Sequence, residues 1–381
     1  MKKKVAIIDS LGAHGSSHHF YLFGQIRGLV DNKVNVSLYT NSNTPNPNIQ
    51  SVNFYQFFGN LFSSKFLFVR ALKYVFGLVL SIFHARFSGA KIFHFHIFEN
   101  NIVVLLKIIL VKLLFGKVVI TIHDVQSFAK SEKNVFLNNQ IYSHADLIFT
   151  HNTFSKKEVL KISPQIDEKI LIVPHGNYIP FINVHNDKVK ARDFLAIDRD
   201  KKVLLFFGLI KKVKGLDLLL NAFGEIIKKH PDIILLIAGK TWKNNFSYYQ
   251  QIIDKNNLAE NIILHNNFIP HADVKYYYSA ADLVVLPYKK IYQSGVLMMT
   301  LSYQKIALVS NLSPLTEIIE DKVNGFIFKS EDKDALINKI VDIFSDKYDM
   351  QNISSRANIM IKNEFDWQKI GSLTKKGYQN L

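Results

Sequence analysis

Short apolar runs alternate with stretches of helical spacing along most of the chain. Val5–Ile8 is apolar and ends at Asp9, and a Gly/Ser/His-rich stretch, 10–19, follows it. Residues 20–29 then repeat apolar positions at helical intervals, and 34–39 reads as a second strand. Asn and Pro fill 41–50, which predicts a loop. Further on, the pattern predicts helices over 65–87 and 101–115, strands over 91–97, 117–122 and 145–150, a helix around 155–162, and a strand at 170–173.

After a polar, aperiodic stretch containing Pro180, the alternation restarts. Strands are predicted at 203–207, 233–238, 262–265, 283–286, 306–310 and 325–328, with helices in the gaps. Strands alternating with helices imply parallel sheets wound on both faces. The expected class is therefore α/β, with two doubly wound domains facing across a cleft. The expected division is a first domain over 1–178, a linker over 179–200 and a second domain over 201–352. A helical segment over 353–381, containing Trp367, is expected to pack back onto the first domain.

The chain has 381 residues, no cysteine, and a net charge of +16 from 47 basic and 31 acidic residues. Without cysteine, disulfides and thiolate metal sites are excluded. The four apolar residues before Asp9 are too few for a signal-peptide core and read as a buried strand. The charge excess favours anionic partners. Between Asn60 and Ile120 basic residues are mixed with Phe, Leu, Ile and Val, and Glu99 is the one acid. That mixture suits an anionic membrane surface better than a nucleic-acid groove. No uninterrupted apolar run reaches the length of a spanning helix, so the expectation is a cytoplasmic protein peripheral on the inner face of the cell membrane.

Chemistry concentrates where the second half begins. The apolar run Val203–Phe207 ends at Gly208, a loop carries Lys211, Lys212 and Lys214, and Gly215 opens an amphipathic run. Strand, basic loop and helix start together favour an anion such as a diphosphate, because helix N-terminal N–H groups and lysines attract negative charge. Ser294, Gly295 and Val296 read as a second helix start, with Ser294 as N-cap. In the first half, Gly12, His14, Gly15 and Ser16 form a glycine-bearing loop that does not match G-x-G-x-x-G. His94 and His96 sit on one strand face near Glu99, and no third ligand shows metal-site spacing, so no metal is expected.

In their order, Phe206–Gly215, Leu235–Gly239, Ala280–Tyr288, Gln293–Leu301, Pro314–Ile319 and Asn324–Phe328 resemble the landmarks of the family-4 glycosyltransferases of the GT-B fold. The first half adds Thr121–Asp124 and Val173–Gly176. The resemblance implies two Rossmann-like domains, an acceptor domain first and a nucleotide-sugar domain second. It implies that Lys211, standing where an Arg is usual, and Lys214 meet the donor diphosphate, beside Gly208, Ser294, Gly295 and Val296. It implies that the segment around Phe268 meets the nucleobase and that His123 contacts the donor sugar as the catalytic side chain. Gly12, His14, Gly15, His18 and Glu99 would line the acceptor side.

The chain also departs from that pattern. Two glutamates usual in the family align with Ile291 and Met299, which cannot accept a hydroxyl hydrogen bond; Gln293 and Tyr292 are the candidate replacements. The implied function is metal-independent, retaining transfer of a sugar from a UDP- or GDP-sugar to a membrane-associated, lipid-linked saccharide in bacterial polysaccharide biosynthesis, with no cofactor. The alternatives are a degenerate glycan- or partner-binding subunit and a GT-B sugar-nucleotide epimerase.

Overall fold

The computed structural model describes residues 3–14, 17–125, 134–183, 187–242 and 245–381. The chain forms two compact units: Met1–Gly176 with Phe365–Leu381, and Asn177–Glu364.

The first unit is built on seven parallel strands: β1 (Lys4–Ile8), β2 (Asn35–Tyr39), β3 (Asn53–Tyr55), β4 (Ala90–Ile97), β5 (Lys117–Ile122), β6 (Leu147–Thr150) and β7 (Ile170–Ile172). Their order is β3-β2-β1-β4-β5-β6-β7, so the chain reverses its direction of travel beside β1. The sheet edge at that switch point is where open α/β sheets carry ligands. The helices are α1 (His18–Asp31), α2 (Leu67–Phe87), α3 (Ile102–Leu113), α4 (Val135–His144) and α5 (Thr153–Ile162). Asn101 and Asn152 cap α3 and α5 by accepting from the backbone N–H groups of Val104 and Ser155.

The second unit has six parallel strands: β8 (Lys202–Phe207), β9 (Ile233–Ala238), β10 (Ile262–His265), β11 (Leu283–Leu286), β12 (Ala307–Ser310) and β13 (Phe326–Phe328), ordered β10-β9-β8-β11-β12-β13. Its helices are α6 (Lys188–Phe194), α7 (Leu216–Lys229), α8 (Ser247–Lys255), α9 (Val274–Ala280), α10 (Gly295–Ser302), α11 (Ser313–Thr316), α12 (Lys333–Ile343) and α13 (Met350–Glu364). The apolar stripe of α7 (Leu216, Leu219, Leu220, Phe223 and Ile226) is buried against β8, β9 and α12.

Two boundaries differ from the sequence expectation. The stretch 179–200 is not a bare linker: α6 packs on α9, and Arg192 of α6 pairs with Asp282 at 2.9 Å. Within 353–381, α13 belongs to the second unit, where it packs on α10, and only α14 (Trp367–Gln379) joins the first. There α14 crosses α1 closely: a β-carbon on Gly28 would meet the Trp367 carbonyl oxygen at 1.9 Å, and one on Gly371 would meet the Gly28 oxygen at 2.1 Å. Glycine at both positions lets the two backbones touch.

Candidate functional site

In the second unit β8 and β11 are neighbours, so the loops leaving their C-terminal ends lie side by side. Four contacts lock the loops together. Gly208, at φ +99°, stands where a β-carbon would reach Val296 Cγ2 at 3.0 Å. The Lys289 N–H donates to the Val213 carbonyl at 2.8 Å, and Lys289 Nζ pairs with Asp217 Oδ2 at 2.6 Å. Gly215, at φ +69°, leaves only 1.8 Å between an added β-carbon and the Pro287 carbonyl oxygen. No other residue fits there without moving the backbone. Lys214 Nζ lies 3.7 Å from the Tyr288 ring centroid, and Lys211 Nζ lies 5.1 Å from that of Trp242. Aromatic faces hold ammonium groups without neutralising them.

Lys212 is exposed, while Lys211 and Lys214 are half-buried. Ser294 caps α10, its Oγ accepting from the Leu297 N–H at 3.1 Å. The α10 start therefore lies beside the basic loop, joined through Val296 and Gly208. Ile291 and Met299 are buried and apolar. Among the described residues, Gln293 Oε1 is buried with no hydrogen-bond partner, an acceptor that a ligand hydroxyl would satisfy. Phe268 is half-exposed in the loop after β10, 5.7 Å from the His271 ring. Gly239, at φ +147°, abuts the Gly208 carbonyl and completes the floor.

The first unit gathers a different set. Gly12, at φ +46°, donates its N–H to Asp9 Oδ1 at 2.7 Å, and Asp9 Oδ2 lies 3.0 Å from His18 Nε2. Asp9 stays ionised despite burial because His18, the Gly12 N–H and Lys107 hold its carboxyl below the usual range. His14 stacks on Phe62 at 3.6 Å, and burial and Arg70 lower its pKa. Glu99 is half-buried just after β4, while Gly15 and Ser16 lie outside the described residues.

His123, which the resemblance sets at the donor sugar, lies among buried histidines. Its Nε2 lies 3.0 Å from His96 Nδ1 and its Nδ1 3.3 Å from His151 Nε2. The ring is 2% exposed, and burial drives its pKa well below the ordinary imidazole value. Sequence spacing offers no third ligand for His94 and His96, and the fold sets two other histidines beside His96. Nitrogens of His18, His96 and His123 lie within 4.8 Å of one another. His18 comes from α1, and only the fold brings it to β4 and β5. Gln25, Trp242, Tyr288 and His151 went unnoticed as site residues. Gln25 was legible, since it stands seven residues after His18, two turns along one helix face.

Residues 187–360 match the family described as glycosyl transferases group 1. The YtcC protein of Bacillus subtilis, named as a glycosyltransferase, is 24% identical over 281 residues, 70% of this chain and 68% of that one. The lipopolysaccharide 1,2-N-acetylglucosaminetransferase of Salmonella typhimurium is 23% identical over 219 residues, covering 55% of this chain and 56% of its own length. In fold the chain resembles HepE of Anabaena, solved with UDP and glucose, at a TM-score of 0.77 and 16% identity, covering 100% of both chains. The chain is a glycosyltransferase of the GT-B fold. In this glycosyltransferase the family match runs from α6 through most of α13 and contains the basic loop and the α10 start.

Proposed function

We propose that the second unit binds the diphosphate of a UDP- or GDP-sugar through Lys211, Lys214 and the N-terminus of α10. The observation that carries this reading is the Gly208–Val296 approach, which sets two half-buried lysines beside a capped helix start. Breaking the sugar–phosphate bond builds negative charge on the leaving diphosphate. Fixed cations and N–H groups stabilise that charge without reorganising. The lysines and helix dipole supply this charge stabilisation in place of a metal at the phosphates, and retention at the sugar is what the family resemblance implies. Gln293 Oε1 takes a donor hydroxyl in place of the carboxylates absent at Ile291 and Met299. Phe268 lies against the base, as the resemblance implies.

The acceptor is membrane-associated, a lipid-linked saccharide of bacterial polysaccharide biosynthesis. Support comes from the outer face of α2, where Leu67, Phe68, Leu72 and Phe76 are exposed, Phe68 by 72% and Phe76 by 70%. This helix is long and apolar enough to cross a membrane, yet Gly77, Leu78, Ser81, Ile82 and Ala85 pack it onto the sheet. Such a helix lies in an interface with one face in lipid. Exposed Ile102, Leu106 and Leu113 on α3 widen the face, and Arg86 ties the two helices by donating to the Leu114 carbonyl at 2.7 Å. Lys65, Arg70 and Lys73 supply charge for anionic headgroups. The name of the Salmonella relative, a lipopolysaccharide-modifying enzyme, fits the same acceptor class.

The decisive experiment incubates the chain with a panel of UDP- and GDP-sugars and a synthetic lipid-diphosphate saccharide, followed by mass spectrometry of products. A glycosylated lipid from at least one donor is expected. No product, together with no nucleotide binding by calorimetry, overturns the reading in favour of a degenerate glycan-binding subunit.

A further inference from the structure

We infer that His18, His96 and His123 form a binding site for a borderline divalent cation of the zinc class inside the first unit. Proton counting along a chain of buried rings leads there. His151 Nδ1 faces the Val173 carbonyl at 3.0 Å, and its Nε2 faces His123 Nδ1 at 3.3 Å. His123 Nε2 faces His96 Nδ1 at 3.0 Å, and His96 Nε2 faces Gln25 Oε1 at 3.1 Å. Four links need four protons, and three neutral imidazoles carry one each.

Both ends of the chain are carbonyl oxygens, which only accept. His151 therefore spends its proton on Val173, His123 spends its proton on His151, and His96 spends its proton on Gln25. That leaves His96 Nδ1 and His123 Nε2 presenting lone pairs to each other at 3.0 Å. Both rings are buried, and an unpaired imidazolium there would be costly to desolvate. A dication accepts both lone pairs.

His18 supplies the third nitrogen at this same link. Tetrahedral zinc at about 2.0–2.1 Å from each nitrogen separates its ligand nitrogens by about 3.3–3.4 Å. The His96–His123 pair opens by a few tenths of an ångström to admit it, and His18 closes in. Each ring also has an outer partner of the kind that orients metal-binding imidazoles: Asp9 on His18, Gln25 on His96 and His151 on His123. Imidazole donors select zinc, cobalt, nickel or copper over magnesium or calcium.

The test uses the untagged chain, stripped with a chelator and titrated with Co²⁺ by visible absorption, then with Zn²⁺ as competitor. One equivalent per chain with tetrahedral ligand-field bands is expected. His96→Ala and His123→Ala should lose binding by more than about 100-fold, and Asp9→Asn should weaken it by about 10–100-fold. Folding of each variant is checked by circular dichroism.

Gln25→Glu guards against a loss that merely reflects misfolding. A carboxylate accepts from His96 and should tighten the metal. In the rival arrangement the Gln25 amide is turned to donate to His96 and no metal binds, so the same variant removes a donor and lowers the melting temperature. Saturable cobalt binding that tightens in Gln25→Glu supports the site. No binding by the wild type, or binding unchanged in His96→Ala and His123→Ala, overturns it.

Discussion

Gly208 and Val296 touch across the loops of β8 and β11, and the first tolerates no β-carbon without strain: its φ is +99° and the valine methyl would stand 3.0 Å away. Gly208→Ala should lower the stability of the second unit by about 1–2 kcal/mol through the backbone conformation and weaken donor binding. Adding Val296→Ala should relieve the contact and leave the backbone cost. Urea titration of both variants, followed at Trp242, separates the two contributions.

Lys211→Ala and Lys214→Ala should each lower kcat/KM by about 100–1,000-fold, the range for removing one charge-stabilising group. Lys212→Ala, at the exposed member of the trio, should change little. Near-normal activity in both half-buried variants would remove the diphosphate assignment.

Ser294→Ala removes the cap of α10 and should cost about 1 kcal/mol of stability. Ser294→Thr, which keeps the capping oxygen, should restore most of it. If α10 also meets the diphosphate, Ser294→Ala raises the donor Kd as well, which calorimetry with UDP or GDP reads directly.

These sites were unequally legible. The parallel α/β alternation, the basic loop and the Ser294 cap follow from local pattern, because a strand, a lysine cluster and an N-cap each advertise themselves within a few residues. The three-residue strand Asn53–Tyr55 is too short to show a period, and α4 has little amphipathic pattern. The histidine cluster escaped for another reason. His18, His96, His123 and His151 come from four elements, and only the β1-β4-β5-β6 order brings them together. For His123 the resemblance implies a place at the donor sugar, while sequence alone gives its position along the strand and not what the ring faces.

Membrane association should depend on α2. Replacing Phe68 and Phe76 by Ser should abolish co-sedimentation with anionic vesicles while leaving donor binding intact. Raising salt should weaken the wild type by screening Lys65, Arg70 and Lys73. Wild-type protein that stays in the supernatant at low salt would refute the surface.

Acid should destabilise the first unit through His175, whose pKa burial and His151 push down to about 3. Its folded pKa lies below the unfolded value of 6.5, so stability is complete above about 6.5 and is lost as pH falls toward 3. Within that window the loss is about 1.4 kcal/mol per pH unit for this one group. Denaturation followed by Trp367 in a Trp242→Phe background should show a shallower pH slope in His175→Gln. An unchanged slope would mean that the imidazole titrates normally in the folded state.

The closure of the first unit by α14 has a consequence for biosynthesis. Its sheet is complete by β7, but the glycine-lined groove on α1 stays unfilled until residues 365–381 leave the ribosome. The half of the molecule made first is thus finished last, after the other half can already have folded. A stalled or clipped chain ending at Glu364 would leave Gly24 and Gly28 bare to water. Folding of the first unit therefore waits for α14, far along the chain from its sheet.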